Sequence, residues 1–228
     1  MTWVKYFEEL CRTGPSWMDY SNDRVHLQTL GAAIEMSGHV AGRRCLDVGC
    51  GQGQLVRMLL ALGAQDVVGV DQAAEHIARL TAQYAEASWR AGDISSESFR
   101  GELGSFDLIY LLEVLQYLPV PEIFAALWEM LSPGGRILAT FPNEDCPIVK
   151  KTVARFEGRY VPPPIQRLLE WARSAPGVTA FGLRGFDFGA DQRLAPYELT
   201  SWTRDAHWPG KVPNRLQFVI EKQPSDAR

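Results

Sequence analysis

Short apolar runs alternate with helix-period segments through the middle of this chain. From residue 44 onward, five runs predict strands: RCLDV, DVVGVD, ASWRAG, FDLIYL and GRILATF. The segments between most of them have apolar residues three and four positions apart, which indicates amphipathic helices. Strands joined by helical crossovers lie parallel in one sheet. The sequence therefore predicts an open α/β sheet with helices on both faces.

Two flanking regions depart from this alternation. Residues 1–42 resemble two helices separated by TGPSWMDYSND, a turn-rich loop, and predict an N-terminal helical cap. Residues 144–213 predict an inserted substrate region, in which the three consecutive prolines of YVPPPIQ are incompatible with a regular helix. Residues 214–228 contain NRLQFVIEK, which predicts a closing strand followed by a tail. With residues 43–143 as the core, these parts predict a single domain.

The composition restricts the partners. The chain has 228 residues and a formal net charge of −4, so neither nucleic acid nor an anionic membrane is expected to attract it. No segment approaches the roughly 18 uninterrupted apolar residues of a membrane helix, and the N-terminus lacks a signal-peptide pattern. We therefore expect a cytoplasmic protein. Its scattered cysteines do not form a zinc motif.

A glycine loop follows the first predicted strand, in LDVGCGQGQL. Ligands of open α/β sheets bind beyond the carboxyl ends of the strands, which is where this loop lies. A dinucleotide loop has the spacing GxGxxG, whereas Gly49, Gly51 and Gly53 give GxGxG, followed by Gln54. Asp47 would repel a pyrophosphate and suits a ligand with an ammonium group. The alternative is that the glycines only make a tight turn and that Asp47 bonds its backbone N–H groups.

Further acids end the next two predicted strands. Asp71 closes DVVGVD and is placed to accept both hydroxyls of a ribose. Asp93 and Ile94 end the third strand, where an acid and an apolar neighbour can hold an exocyclic amine and cover a base. Both acids could instead cap the helices that follow them. Together with the loop, they indicate a nucleoside with an amino-acid-like end.

The motifs LDVGCGQGQL, GVDQ, AGDI, FDLIYLLEVLQYLP and LSPGGRILATFPN resemble those of class I S-adenosylmethionine-dependent methyltransferases, in the same order and spacing. This resemblance implies a Rossmann-like sheet of seven strands with the last strand antiparallel, and makes residues 43–143 the cofactor-binding core. It implies that S-adenosyl-L-methionine is the cofactor. The predicted cofactor-binding residues are Asp47, Gly49, Cys50, Gly51, Gly53, Asp71, Gln72, Asp93, Ile94 and Leu112.

Catalysis of methyl transfer is mostly alignment of the acceptor and exclusion of water, and a base is needed only where the acceptor must lose a proton. Many small-molecule methyltransferases have a Glu-His pair where this chain has Gln116 and Tyr117. Tyr117 can orient a substrate, but its ordinary pKa near 10 makes it a poor base, and packing on a helix face is the alternative. Glu113 is the other candidate catalytic residue in this segment.

Two histidines complete the catalytic candidates. His26 lies in the N-terminal cap and His207 in the late segment TRDAHWPGK, and either could be the base. His39 and His76 are expected at the solvated surface. No metal is expected, because the PNEDC segment lacks partner acids from other segments apart from Glu113.

The substrate prediction rests on a basic stripe. Lys151, Arg155 and Arg159 recur every four residues, so a helix would align them for a phosphate or carboxylate, or simply expose them to solvent. Trp17 and Tyr20 in the cap are predicted to line the acceptor pocket, with packing of the cap as the alternative.

The predicted function is S-adenosylmethionine-dependent methylation of a small molecule, with oxygen favoured over nitrogen and an anionic or sugar-type acceptor. The alternative is a partner or sensor domain that binds S-adenosylmethionine without methyl transfer. An NAD-dependent oxidoreductase is a third hypothesis, against which Asp47 and Gln54 argue. A homodimer is compatible with the sequence.

Overall fold

Seven strands form one sheet in this computed structural model, which describes residues 5–9, 24–155, 160–186, 199–208, 210 and 212–225. The strand order is β3-β2-β1-β4-β5-β7-β6. The strands are β1 (Arg44–Val48), β2 (Asp66–Asp71), β3 (Ser88–Ala91), β4 (Phe106–Leu112), β5 (Leu131–Pro142), β6 (Val178–Phe186) and β7 (Arg215–Lys222).

Helices connect most of these strands and cover the sheet. They are α1 (Arg24–Ser37), α2 (Gln54–Ala61), α3 (Ala74–Gln83), α4 (Glu97–Leu103), α5 (Glu122–Met130), α6 (Pro147–Arg155) and α7 (Ile165–Ser174). Residues 5–9 are also helical, and a 3-10 turn spans Leu115–Tyr117. None of the helices in the described part of the chain combines the length and hydropathy needed to cross a bilayer.

The strand directions explain where a ligand can bind. Strands β1 to β5 pair in parallel, and β7 runs antiparallel between β5 and β6. The order reverses at β1, which lies between β2 and β4, and this reversal opens a crevice at the carboxyl ends of those strands. The predicted seven-stranded sheet with an antiparallel last strand is confirmed.

One strand of the sheet was not predicted from the sequence. Strand β6 lies within residues 144–213, where no strand was predicted, and it forms an edge of the sheet. Its first four residues are exposed or half-buried and its last five are all buried, so it shows no regular alternation. A strand without alternation is difficult to tell from irregular chain by periodicity alone.

Two apolar layers enclose the sheet, one on each face. One layer includes Phe106, Phe124, Phe141 and Phe218, and the other includes Leu59 with side chains of α1 and β1. Helix α1 packs against β4 and β5.

The last turn of α1 is tied to β4 and β5. Ser37 Oγ hydrogen-bonds the Tyr110 hydroxyl at 2.7 Å, and Arg136 reaches the Ser37 carbonyl at 3.4 Å. His26 is 11 residues earlier, or about 16 Å along a helix, so it lies well away from these contacts.

Candidate active site

The glycine loop joins β1 to α2 with a backbone that turns sharply. Its three glycines have positive φ values of 71°, 49° and 74° at Gly49, Gly51 and Gly53. A Cβ atom on Gly53 would lie 2.5 Å from the Trp89 ring, and one on Gly49 would lie 2.6 Å from Val114 Cγ2. At Gly51 the nearest atom would be 4.0 Å away. Packing therefore requires glycine at positions 49 and 53. At Gly51 no side chain covers the backbone, which leaves room for a ligand.

Asp71 ties the end of β2 to the glycine loop. The Gly51 N–H donates to Asp71 Oδ2 at 3.2 Å, and the Ala73 N–H donates to Oδ1 at 3.0 Å. A carboxylate has about four acceptor positions, so these two bonds orient Asp71 and leave capacity for ligand hydroxyls.

Asp93 follows β3 and is linked to the chain after β2. Its Oδ1 accepts hydrogen bonds from Gln72 Nε2 at 3.0 Å and from the Ser95 N–H at 2.8 Å. Gln72 and Asp93 thus form a polar edge beside Asp71. The fold brings together the acids that the sequence analysis placed at successive strand ends.

Asp47 is the buried acid of the site. It lies in β1 next to Val48, and its side chain is almost completely shielded from solvent. Burial, with a smaller contribution from the negative charge of Asp71, raises the pKa of Asp47 to about 7. A cationic group bound beside Asp47 would favour its ionised form.

His76 was wrongly expected at the surface. It is buried in α3, where its Nε2 contacts the Gly51 carbonyl and its Nδ1 accepts a hydrogen bond from Arg79 at 2.8 Å. Burial is the main reason that the pKa of His76 is lowered, so the ring is neutral. The signal for its position was its spacing of four residues from Leu80, on the buried side of α3.

The apolar cofactor candidates lie within the core. Ile94 is buried in the layer on one face of the sheet, and Leu112 and Cys50 are buried in the other. The Cys50 sulfur would be 3.2 Å from a Cβ on Gly69, so the cysteine packs closely against β2.

Glu113 directly follows β4 and faces the start of β7. Its Oε2 accepts a hydrogen bond from Arg215 Nε at 2.8 Å, and both side chains are largely buried. Arg215 Nη1 also donates to Asn214 Oδ1 at 3.0 Å. The sequence analysis missed Arg215, because its neighbourhood indicated only a closing strand and the partner is 102 residues away.

Two tyrosine rings lie near this ion pair, close enough for its charges to act on their hydroxyls. Tyr117 contacts Tyr160 edge-on with ring centroids 6.4 Å apart, and Phe7 contacts Tyr117 edge-on at 5.3 Å. Burial raises the pKa of Tyr117 to about 12 and also raises that of Tyr160. Both phenols are therefore neutral near pH 7.

The two histidine candidates differ in their surroundings. His26 is half-buried in the first turns of α1, and His207 is exposed. At the end of β5, Asn143 donates to the Pro213 carbonyl and Glu144 accepts the Ile165 N–H at the start of α7. These two polar side chains therefore make hydrogen bonds that stabilise the fold. Within the described ranges, no three His, Cys, Asp or Glu side chains lie close enough to hold a metal ion.

The predicted substrate residues are only partly described. Lys151 and Arg155 lie exposed on α6, which ends at Arg155. Arg159, Trp17 and Tyr20 lie outside the described residues.

Comparisons of sequence identify a known domain in this chain. Residues 45–135 match a family model described as "Methyltransferase domain". A ubiquinone biosynthesis O-methyltransferase of Nitrosococcus oceani is 41% identical over 148 residues, which cover 61% of each chain. One of Burkholderia orbicola is 34% identical over 116 residues, covering 49% of this chain and 50% of that protein. The chain thus spans about half to three fifths of these relatives.

Solved structures share the whole architecture. A Thermotoga maritima S-adenosylmethionine-dependent methyltransferase, described as a possible histamine N-methyltransferase, has a TM-score of 0.70 at 15% identity and covers 95% of this chain and 98% of its own. The N-methyltransferase NodS of Bradyrhizobium japonicum, solved with S-adenosylhomocysteine, has a TM-score of 0.62 at 18% identity, with coverages of 97% and 98%. At these identities the likeness shows the fold.

The sheet order and the glycine loop are those of the class I methyltransferase fold, and residues 45–135 resemble a methyltransferase domain. The curated proteins that this chain resembles in sequence are O-methyltransferases by name.

Proposed function

We propose that this chain transfers the methyl group of S-adenosylmethionine to an oxygen atom of a small molecule. The observation that carries the proposal is the buried Asp47 carboxyl at the glycine loop, beside Asp71 at the end of the neighbouring strand. A buried acid with a raised pKa favours a cationic partner, and the cofactor's amino-acid end has an ammonium group. The preference for oxygen is supported by the names of the curated relatives.

The strand-end residues fit the parts of this cofactor. Asp47 would hold the ammonium group, Asp71 the ribose hydroxyls, and Asp93 the adenine amine. The open backbone at Gly51 lets the ligand approach the loop, and the His76 ring fixes the carbonyl of that residue. Cys50, Gln72, Ile94 and Leu112 remain predicted neighbours of the bound nucleoside.

The cofactor supplies an activated methyl group on a sulfonium, which reacts by in-line displacement. The chain's own contribution is to align the acceptor and to exclude water from the reacting atoms. The aromatic rings of Tyr117 and Tyr160 suit this purpose, because both are buried and lie near the ion pair that follows β4. Phe7 adds an edge-on contact with Tyr117. His26 and His207 remain alternative bases.

The proposal also includes the class of acceptor, the cellular location and the partners of the protein. An anionic or sugar-type acceptor is supported by the exposed Lys151 and Arg155 of α6. We further propose a cytoplasmic enzyme that does not bind nucleic acid, consistent with its net charge of −4. A homodimer remains a prediction, which light scattering of the purified chain would test.

The experiment is a release assay for S-adenosylhomocysteine with a panel of acceptors. The panel contains catechol, 4-hydroxybenzoate, a sugar phosphate and an aliphatic amine, each with S-adenosylmethionine. We expect turnover with at least one hydroxyl acceptor and none with the amine. Cofactor binding in calorimetry without turnover on any acceptor would instead support a sensor or partner domain. Turnover with the amine alone would contradict O-methylation.

A further inference from the structure

An ion pair lies where the end of β4 meets the start of β7. Arg215 Nε donates to Glu113 Oε2 at 2.8 Å, and the exposed fractions of the two side chains are 21% and 13%. A second contact, from Arg215 Nη1 to Asn214 Oδ1 at 3.0 Å, fixes the guanidinium plane. A partly buried, planar donor of this kind orients a carboxylate more strictly than an exposed pair would.

The other oxygen of this carboxylate is unused. Glu113 Oε1 is buried and has no hydrogen-bond partner among the residues that the structure describes. A buried acceptor without a donor is destabilising, and more so when the group is charged. The arrangement therefore favours a ligand that brings a hydrogen-bond donor to Oε1.

The backbone holds Glu113 in a conformation that few non-glycine residues adopt. Its φ is +53°, its N–H donates to the Thr140 carbonyl at 2.9 Å, and its carbonyl accepts from Gln116 Nε2 at 2.5 Å. Such a conformation is strained and persists where neighbouring contacts hold it in place, commonly at functional sites. At Glu113, the hydrogen bonds of its N–H and of its carbonyl hold the backbone in this conformation.

The position of Glu113 relative to the glycine loop is also fixed. The next residue, Val114, packs so closely on Gly49 that a Cβ there would lie 2.6 Å from Val114 Cγ2. Glu113 is thus one residue away from direct contact with the glycine loop that we propose to bind the cofactor. Tyr117 and Tyr160 lie close enough for the charge of Glu113 to act on their hydroxyls, but their raised pKa values exclude them as bases near neutral pH.

We propose that Glu113 is the general base that takes the proton from the acceptor hydroxyl, and that Arg215 is a positioning residue that holds its carboxylate. This inference rests on the proposed O-methylation. The hydroxyl proton moves to Glu113 Oε1 while the acceptor oxygen bonds the methyl carbon. The carbon–sulfur bond breaks and leaves its electron pair on sulfur. The Glu113 carboxyl then returns its proton to water.

The test compares steady-state pH profiles of the wild-type protein and four variants, using the panel acceptor with the fastest turnover. Loss of a general base in Glu113→Gln should lower kcat by about 10²–10⁴-fold, with the affinity for S-adenosylhomocysteine changed less than about twofold. Glu113→Asp should recover part of that loss.

The Arg215 variants separate positioning from folding. Arg215→Met should lower kcat/KM by about tenfold or more and move the acidic limb of its pH profile to higher pH, because the carboxylate loses its neighbouring cation. Arg215→Lys keeps the charge and should return that limb to its wild-type position, although kcat stays reduced because the planar donor is lost.

Arg136 and Glu221 provide the matched controls. Their ion pair joins β5 to β7 at 3.0 Å, at the opposite end of the sheet from the proposed base. Arg136→Met and Glu221→Gln should lower the melting temperature at most, with the pH profile unchanged.

Near-wild-type kcat in Glu113→Gln would overturn the inference. The inference would also be overturned if the acidic limb of the pH profile of Arg215→Met stayed at its wild-type position while its melting temperature fell as much as that of Arg136→Met. If the wild-type protein turns over no hydroxyl acceptor, the proposed function fails together with this inference. If the wild type turns over a hydroxyl acceptor and the Glu113 and Arg215 variants do so equally well, this inference fails and the proposed function stands.

Discussion

Single carboxyl groups control how this site responds to pH. Asp47 is buried and its pKa is raised to about 7, so its carboxyl is largely neutral below that value. A cationic ammonium group binds the ionised form. We therefore expect the affinity for S-adenosylhomocysteine to increase as the pH rises from about 5.5 to about 8.5, as measured by calorimetry. Asp47→Asn should bind more weakly with little pH dependence. A variant that kept the wild-type pH dependence would contradict this assignment.

The same carboxyl has the opposite effect on the ligand-free protein. Its folded pKa of about 7 lies above the ordinary value of 3.8, so the folded state binds more protons between these values. The contribution of Asp47 to the free energy of unfolding therefore falls as the pH rises from about 4 to about 7, and it levels off above that. Denaturant unfolding of wild type and Asp47→Asn across this range should show the difference.

We expect Asp71 to contribute to the affinity for S-adenosylhomocysteine. The Asp71→Ala change removes the carboxylate that orients the loop through the Gly51 N–H and that we assign to the ribose. Hydrogen bonds to charged groups contribute about 1.5–3 kcal/mol each, so the affinity for S-adenosylhomocysteine should fall by at least about tenfold. Asp66→Ala is the control, since Asp66 begins the same strand and pairs with Arg44. Equal calorimetric affinities for both variants would refute the ribose role.

The glycine loop is a structural element whose positions have separable roles. Gly53→Ala would place a Cβ 2.5 Å from the Trp89 ring, at a φ of +74°, so it should lower both the free energy of unfolding and cofactor affinity. Gly51→Ala meets open space and should cost stability only through its φ of +49°, by about 1–2 kcal/mol. If the cofactor approaches this backbone, Gly51→Ala should still weaken binding by about tenfold or more.

Denaturant unfolding and calorimetry on both glycine variants measure these effects. Wild-type affinity in Gly51→Ala would indicate that the loop only makes a tight turn.

The elements that the sequence predicted well are those with regular periodicity. The runs RCLDV and DVVGVD correspond to β1 and β2, because both strands are buried in the middle of a parallel sheet and are bounded by turn residues. Strand β6 was missed, because its first four residues are exposed or half-buried without alternation and its pairing with β7 is non-local.

The whole molecule should be stabilised by its ligand. A ligand that binds only the folded state at about 100 times its dissociation constant adds about 2.7 kcal/mol. For a chain of 228 residues, this corresponds to a rise in melting temperature of about 5–10 °C. We expect S-adenosylhomocysteine to produce that rise in differential scanning calorimetry, whereas NAD should leave the melting temperature unchanged. A rise with NAD and none with S-adenosylhomocysteine would restore the oxidoreductase hypothesis.

Local patterns in the sequence predicted the fold class, the glycine loop and the acids Asp71 and Asp93 at the ends of strands. These features are local, because strand periodicity, glycine spacing and the position of an acid after a strand all lie within a few residues. The burial of His76 and the pairing of Glu113 with Arg215 became visible in the folded chain alone. Those contacts join segments that are 25 and 102 residues apart, and no local pattern encodes which distant side chain a folded sheet will bring within hydrogen-bond distance.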